Sequence, residues 1–321
     1  MAKTVLVTKP IHVEALDRLK EEAHVINPFQ APRDELLALF RDVHGIIVGG
    51  ILPLGGQEMD LARRLEVIGR HGVGLDNVDV AAASARSIPV VYTPYGPTES
   101  TAEHAVLLML AASRRLFQLD HAVRHGDFAI RDRLEVMGHE LQGQKLGVVG
   151  FGRIGQRVAE ICRSAFDMSI HVYDPHLVPG DVAAWGAIWM PELTALAGAV
   201  DLLTIHVPLT PGTRHLINEA VIRAMVPGAL LINTSRGPVV DEKALIAALL
   251  DGHLGGAGLD VYEPQPPLPD NPLLGLQQVV LTPHVASFTH EGRRRMGLTV
   301  VEDVLRVLRG EPPQYLANPM A

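Results

Sequence analysis

The sequence predicts an α/β protein built from two arrays of parallel βα units. Three observations carry that prediction. Short apolar runs alternate with amphipathic, helix-period segments along nearly the whole chain. A glycine triplet stands between one such run and the helical pattern that follows it. A long helical pattern separates the two arrays.

The first array reads, in order, as strand 4–8, helix 12–23, strand 24–27, helix 32–42, strand 45–49, a short helix near 57–63, strand 65–72, helix 78–87 and strand 89–94. "TESTAEHAVLLMLAASRRLF" (98–117) begins with Thr and Ser at cap positions and keeps an apolar face for about five turns. Its length and place predict a helix joining two domains. His104 within it reads as a satisfied buried or interface histidine. The second array follows as "QKLGVVGFGRIGQRVAEICRSAF", then the strands "SIHVYDP", "DLLTIHVP", "ALLINTS", "GGAGLDV" and "QVVLTPH". Helices "PELTALAG", "NEAVIRAM" and "DEKALIAALLDG" lie between them. Residues 287–309 are helical again and the tail is extended.

Composition narrows the function. At 321 residues, 47% of them hydrophobic, the chain can bury two cores. A formal charge of −8 argues against nucleic acid or an anionic membrane as a partner. The cluster "RRRM" (293–296) reads as a solvated helix face. No apolar run has the length of a membrane span, and the first residues lack the apolar core of a secretory leader. A single cysteine, Cys162, fits a reducing compartment, so a cytoplasmic location is expected. It lies in an apolar-periodic segment and reads as a buried structural thiol. No metal site is expected.

"VVGFGRIG" supplies Gly150, Gly152 and Gly155 directly after a strand and before a helix. The first makes a tight turn, the second lets backbone approach a pyrophosphate, and the third lets helix and strand pack closely. The helix N-terminus then offers free N–H groups to the diphosphate. Asp174 follows Gly155 by nineteen residues, at the end of the next strand, and is placed to accept from ribose hydroxyls. No Lys or Arg follows it within several residues, so NAD is favoured over NADP.

Polar residues also end the later strands, where open α/β sheets bind ligands. Arg236 follows "ALLI", Asp260 and then Glu263 or Gln265 follow "GAGL", and His284 follows "VVLTP". Beside a nicotinamide, an Arg that binds and polarises a 2-oxo acid and a His that exchanges the hydroxyl proton make a hydride-transfer site. In extended chain Glu263 and Gln265 point to the same side, so periodicity leaves both open as partners of His284.

With these motifs on the page, the chain resembles the D-isomer-specific 2-hydroxyacid dehydrogenases. The resemblance runs nearly end to end, through "RHGVGLDNVD", "TESTAEHAVLLMLAASRR", "GVVGFGRIGQRVA", "HVPLTPGTRHLIN", "LLINTSRGPVVDEKALIAAL", "GAGLDVYEPQPP" and "VVLTPH". It implies two Rossmann-like doubly wound domains. The outer substrate-binding one is discontinuous, 1–98 with 288–321, and the NAD-binding one covers 99–287. It implies Arg236 as the substrate-binding arginine, His284 as the acid/base, and backbone amides of Gly72, Val73 and Gly74 as the carboxylate site. Arg153, Ile154, Val207, Thr234 and Asp260 match cofactor contacts. A homodimer is implied.

The family usually has a glutamate five residues after the strand-end aspartate, hydrogen-bonded to the histidine. Here that position is Gln265, so the resemblance assigns Gln265, not Glu263, as partner of His284. The formate dehydrogenase branch also pairs Gln with His, but "GVGLDNVD" is of the hydroxyacid type. The expected activity is NAD-dependent hydride transfer between nicotinamide and a small D-2-hydroxy acid/2-oxo acid, of hydroxypyruvate, glyoxylate or phosphoglycerate type. The loops near 51–56 and 92–97 carry no Lys or Arg, which disfavours a phosphorylated substrate. The alternatives are a formate dehydrogenase-like enzyme and a nucleotide-sensing binding protein like the family's corepressor branch.

Overall fold

The computed structural model describes residues 2–28, 31–50 and 52–318. The chain divides into two units, Met1–Ser100 with Ser287–Ala321, and Thr101–Ala286. It passes from one to the other inside the helix Thr98–Ser113 and again after Ala286.

The first unit holds strands β1 (Lys3–Val7), β2 (Ala23–Ile26), β3 (Gly45–Val48), β4 (Val67–Arg70) and β5 (Val90–Val91). They pair in parallel in the order β2-β1-β3-β4-β5. Alternation within the apolar runs feeds two cores. Leu6, Ile46, Val48 and Ile68 pack with Phe40 and Met59. Val5, Val7, Ile47 and Val67 pack with Val300, Val301 and Val304 of the helix His290–Leu308. Each such buried aliphatic side chain contributes about 1.5–3 kcal/mol. Gly69 of β4 makes this packing possible, because a Cβ there would lie 2.7 Å from a methyl of Val304 and 2.8 Å from one of Val300.

The second unit holds β6 (Lys145–Val149), β7 (Ser169–Tyr173), β8 (Ile188–Trp189), β9 (Leu202–Ile205), β10 (Leu230–Asn233), β11 (Gly256–Leu259) and β12 (Val279–Leu281). All pairs are parallel, in the order β12-β11-β10-β9-β6-β7-β8. Both faces are covered, as a parallel sheet requires. Leu146, Val148, Leu202 and Ile232 face Ala105, Met109, Val158 and Cys162. Val149, Leu203, Ile205 and Leu231 face Leu196, Ile222 and Leu245. The strand order reverses between β6 and β9, the switch point at which such sheets bind ligands.

Three details differ from the sequence expectations. The helix expected to run to 117 stops at Ser113, whose carbonyl accepts the N–H of His139 at 2.9 Å; Arg115 is left-handed (φ 50°), and a new helix spans Leu116–Arg124. The helix Pro179–Ala184 and the two-residue β8 carry too little periodic pattern to be seen in sequence. Only Arg294 and Arg295 of "RRRM" form an exposed face. Arg293 is half-buried and donates to the Pro10 carbonyl, and Met296 is buried.

Candidate active site

The glycine turn is built as its spacing requires. Gly150 directly follows β6 with φ 87°, and a Cβ on it would sit 2.7 Å from a Val207 methyl and 2.9 Å from the His206 carbonyl. A Cβ on Gly155 would lie 2.2 Å from the Gly150 oxygen, so helix Arg153–Phe166 can reach the turn only through glycine. Gly152 differs. It caps that helix in extended backbone, with open space where a Cβ would be. That space is where a ligand's diphosphate can approach the helix N-terminus.

Asp174, half-buried just past β7, accepts the Phe151 N–H through Oδ2 and the His176 N–H through Oδ1, both at 2.9 Å. It therefore holds the glycine turn. Arg153 is exposed in the first helical turn, and Ile154 packs on the core beside it. Thr234, just past β10, is buried with Oγ1 lacking any hydrogen-bond partner. A buried hydroxyl without a partner is costly unless a ligand or water completes it. The glycine cradle, the open helix end and this hydroxyl fit a dinucleotide.

The strands β10, β11 and β12 are neighbours, and each delivers a polar side chain at its C-terminal end. Asn233, buried at the end of β10, accepts through Oδ1 from the Ser235 N–H (2.9 Å) and hydroxyl (2.8 Å) and donates through Nδ2 to the Arg236 carbonyl (2.9 Å). Arg236 is half-buried and donates to the Ser235 carbonyl at 2.8 Å. The next residue must be glycine, since a Cβ on Gly237 would lie 2.0 Å from the Tyr262 carbonyl oxygen.

Gln265 and Glu263 have separate partners. Gln265 Nε2 lies 2.8 Å from His284 Nδ1. Glu263 meets His215 Nε2 at 2.8 Å and pairs with Arg214, while its own N–H donates to Glu242. His284 is exposed and left-handed, with φ 58°.

Asp260, matched to a cofactor contact, is fully buried just past β11. It accepts the Thr282 hydroxyl (2.6 Å) and the N–H groups of Val285 (2.8 Å) and Ala286 (2.9 Å). His104 is indeed satisfied, with Nε2 3.0 Å from Thr282 Oγ1 and burial pushing its pKa down. Sequence reasoning missed Asn233, Thr282 and Tyr262; the one signal was a polar residue ending an otherwise apolar strand. Cys162 is buried and burial pushes its thiol up to about 12, which makes it a poor nucleophile. Among the described residues no group of three His, Cys, Asp or Glu side chains is placed to hold a metal, and no helix is long and apolar enough to cross a membrane.

In the other unit, Gly72 (φ 151°), Val73 and Gly74 follow β4 as a partly exposed loop. Arg70 is buried beneath it and donates to the carbonyls of Gly74 (2.8 Å) and His71 (3.3 Å). His71 is buried and neutral, its pKa pushed down to about 3 by desolvation and then by Arg293 and Arg70. Ile51, in one expected specificity loop, lies outside the described residues.

A doubly covered parallel sheet with this glycine turn at its switch point is a dinucleotide-binding domain. Residues 106–286 match the family model described as "D-isomer specific 2-hydroxyacid dehydrogenase, NAD binding domain". The chain belongs to the D-isomer specific 2-hydroxyacid dehydrogenase family. It is 38% identical to a glyoxylate reductase of Korarchaeum cryptofilum over 99% of this chain and 96% of that protein. It is 39% identical to a D-3-phosphoglycerate dehydrogenase of Archaeoglobus fulgidus over 98% of this chain, which spans 59% of that longer protein. Among solved structures, it resembles an NADPH-dependent glyoxylate/hydroxypyruvate reductase from Sinorhizobium meliloti in complex with NADP and malonate. There the TM-score is 0.87 and the identity 35%, with 99% of this chain and 97% of that chain covered.

Proposed function

We propose that the protein interconverts a small 2-oxo acid and its D-2-hydroxy acid with NAD(H), and that glyoxylate or hydroxypyruvate is a better substrate than a phosphorylated acid. The observation that carries this reading is the delivery of Arg236, Gln265 and His284 from adjacent strand ends of the sheet that bears the glycine turn. The absence of Lys and Arg from segments 51–56 and 92–97 supports an uncharged substituent.

NAD(H), when bound, supplies or takes up the hydride. In the first unit the amides of Gly72, Val73 and Gly74, a loop that the Arg70 guanidinium braces, are a candidate carboxylate site. Arg236 holds the oxo and carboxylate oxygens and stabilises the negative charge that develops on the oxo oxygen. His284, as imidazolium, donates its Nε2 proton to that oxygen and is left neutral. Gln265 orients the ring at Nδ1. Nδ1 keeps its hydrogen before and after that transfer, so the amide carbonyl, placed there by a half-turn of the side chain, accepts from Nδ1–H in both protonation states. Gly150, Gly152, Arg153, Ile154, Gly155, Asp174, Val207 and Thr234 line the cofactor's place.

NADH oxidation with glyoxylate, hydroxypyruvate and phosphohydroxypyruvate, and NAD reduction with formate, test this. Turnover of the unphosphorylated oxo acids is expected. Turnover of formate alone would support the formate reading that a Gln–His pair also suits. Tight NADH binding without turnover would support a nucleotide-sensing role.

Exposed apolar side chains gather between Leu107 and Met137, among them Phe117, Val123, Phe128 and Leu134. So many exposed apolar side chains within one segment support a homodimer. Light scattering is expected to give twice the chain mass, and Phe128→Glu with Leu134→Glu to give one.

A further inference from the structure

In the first unit three strand exits lie side by side. Thr8, just past β1, donates its N–H to the Ile47 carbonyl at 3.0 Å and accepts the Gly49 N–H through Oγ1 at 3.1 Å. His71, just past β4, donates its N–H to the Val48 carbonyl at 3.0 Å. The Arg70 guanidinium spans the same gap, giving Nη1 to the Val48 carbonyl (3.4 Å) and Nε to that of Gly74 (2.8 Å). The pair Gly49 and Gly50 after β3 therefore borders the loop Gly72–Gly74.

Lys9 lies across that pair. A Cβ on Gly49 would meet Lys9 Cβ at 2.8 Å and Cγ at 3.2 Å, and one on Gly50 would meet Cε at 3.6 Å. The stem thus rests on backbone at Gly49 that a side chain would cover. A lysine stem laid down in this way keeps its ammonium in water. Lys9 is exposed, and among the described residues no carboxylate pairs with it, whereas Lys3 and Lys20 of the same unit are paired with Glu66 and Asp17. The guanidinium groups of Arg70 and Arg293 nearby are spent on the backbone carbonyls of Gly74 and Pro10.

We infer that Lys9 is a specificity-determining residue for the third carbon of the substrate: from the end of β1 its ammonium donates to a hydroxyl there, so hydroxypyruvate is preferred to pyruvate. The inference deepens the function proposed above and rests on a 2-oxo acid seating its carboxylate on Gly72–Gly74. Adjacent strands are about 4.8 Å apart, so the exits of β1 and β4, with β3 between them, are roughly 10 Å apart. The lysine stem crosses part of that gap. An ammonium offers three donors and no acceptor, which suits a hydroxyl oxygen. A phosphoryl group carries nearly two negative charges and draws several charged donors together, of which Lys9 supplies one. Lys9 escapes a count of the basic residues in segments 51–56 and 92–97, because it reaches this edge from another strand.

Lys9→Met tests it, since methionine keeps an unbranched stem over the glycines and removes the charge. NADH oxidation gives kcat/KM of wild type and variant with hydroxypyruvate, pyruvate and phosphohydroxypyruvate. In Lys9→Met the value for hydroxypyruvate should fall by about tenfold, the size of one hydrogen bond from a charged donor. That for pyruvate should fall by no more than about twofold. The hydroxyl's own effect on the reactivity of the oxo group is the same in both proteins and cancels in the ratio. An unchanged ratio of hydroxypyruvate to pyruvate in Lys9→Met overturns the inference, whether both values hold or both fall together. A loss confined to phosphohydroxypyruvate overturns the hydroxyl assignment and puts a phosphoryl group in its place. If wild type reduces none of the three acids, the proposed function fails and this inference falls with it. If wild type reduces them and the ratio does not move, the inference alone fails.

Discussion

Gln265 Nε2 meets His284 Nδ1 at 2.8 Å, while Glu263, two residues earlier, is held on His215 and Arg214. The histidine thus has an uncharged partner although a carboxylate is close by in sequence. A carboxylate beside a histidine favours the imidazolium, by roughly 1–3 pKa units at close range. Reduction needs that imidazolium, so it proceeds below the histidine's pKa and fails above it. Gln265→Glu should therefore move the alkaline limb of kcat/KM for reduction upward by about 1 unit or more. Glu263→Gln should leave the limb in place. pH–rate profiles of the two variants with one oxo acid decide it, and a shift only in the Glu263 variant would mean the wrong partner is named.

The proposed role of Arg236 is that of a planar fork, and its backbone is held by Asn233. Lysine cannot bridge two oxygens in that way. Arg236→Lys should lose at least about tenfold in kcat/KM, about 1.4 kcal/mol of transition-state stabilisation, with little change in NADH affinity. Steady-state kinetics that match wild type would take Arg236 out of the mechanism.

Asp174 ties down the N–H of Phe151 in the glycine turn through its Oδ2, and its proposed second role is to repel a 2′-phosphate. Asp174→Ala should weaken NADH on the order of tenfold, as the loss of a charged hydrogen bond does, and narrow the preference for NADH over NADPH. Dissociation constants for both cofactors check this. Because an NADPH-dependent relative shares this fold, equal use of NADPH by wild type would overturn the role of Asp174.

His71 predicts a pH dependence of stability. Its folded pKa is about 3, below the ordinary 6.5, because burial disfavours the charged ring. The unfolded chain takes up that proton first, so stability falls as pH drops from about 6.5 towards 3. His71→Asn removes this contribution. Its urea midpoint should fall less than wild type's between pH 7 and pH 4, and parallel curves would show that His71 is not buried neutral.

Cys162 should resist alkylation in the native state, its thiol pushed up to about 12 by burial. Labelling is expected only after denaturant is added. Rapid labelling of native protein would contradict the core packing.

The amino-acid sequence by itself determined the class of fold and the cofactor turn, and it named the residues from which the site's chemistry is proposed. Those are local properties. Apolar runs at strand spacing, glycines at the spacing of a tight turn, and Arg, Gln and His at strand ends are all legible along the chain. What the tertiary structure decided depends on residues distant in sequence. Periodicity put Glu263 and Gln265 on the same side and only the family resemblance chose Gln265; the folded chain gives the physical reason, by offering Arg214 and His215 to one and His284 to the other. The end of the helix at Ser113 was likewise settled by His139, twenty-six residues away. Asp260 could be recognised as a strand-end acid from sequence. Its three donors come from residues more than twenty positions later and fasten it to the turn 282–286. A buried carboxylate must find its donors wherever the fold brings them, and that pairing is not written in any local pattern.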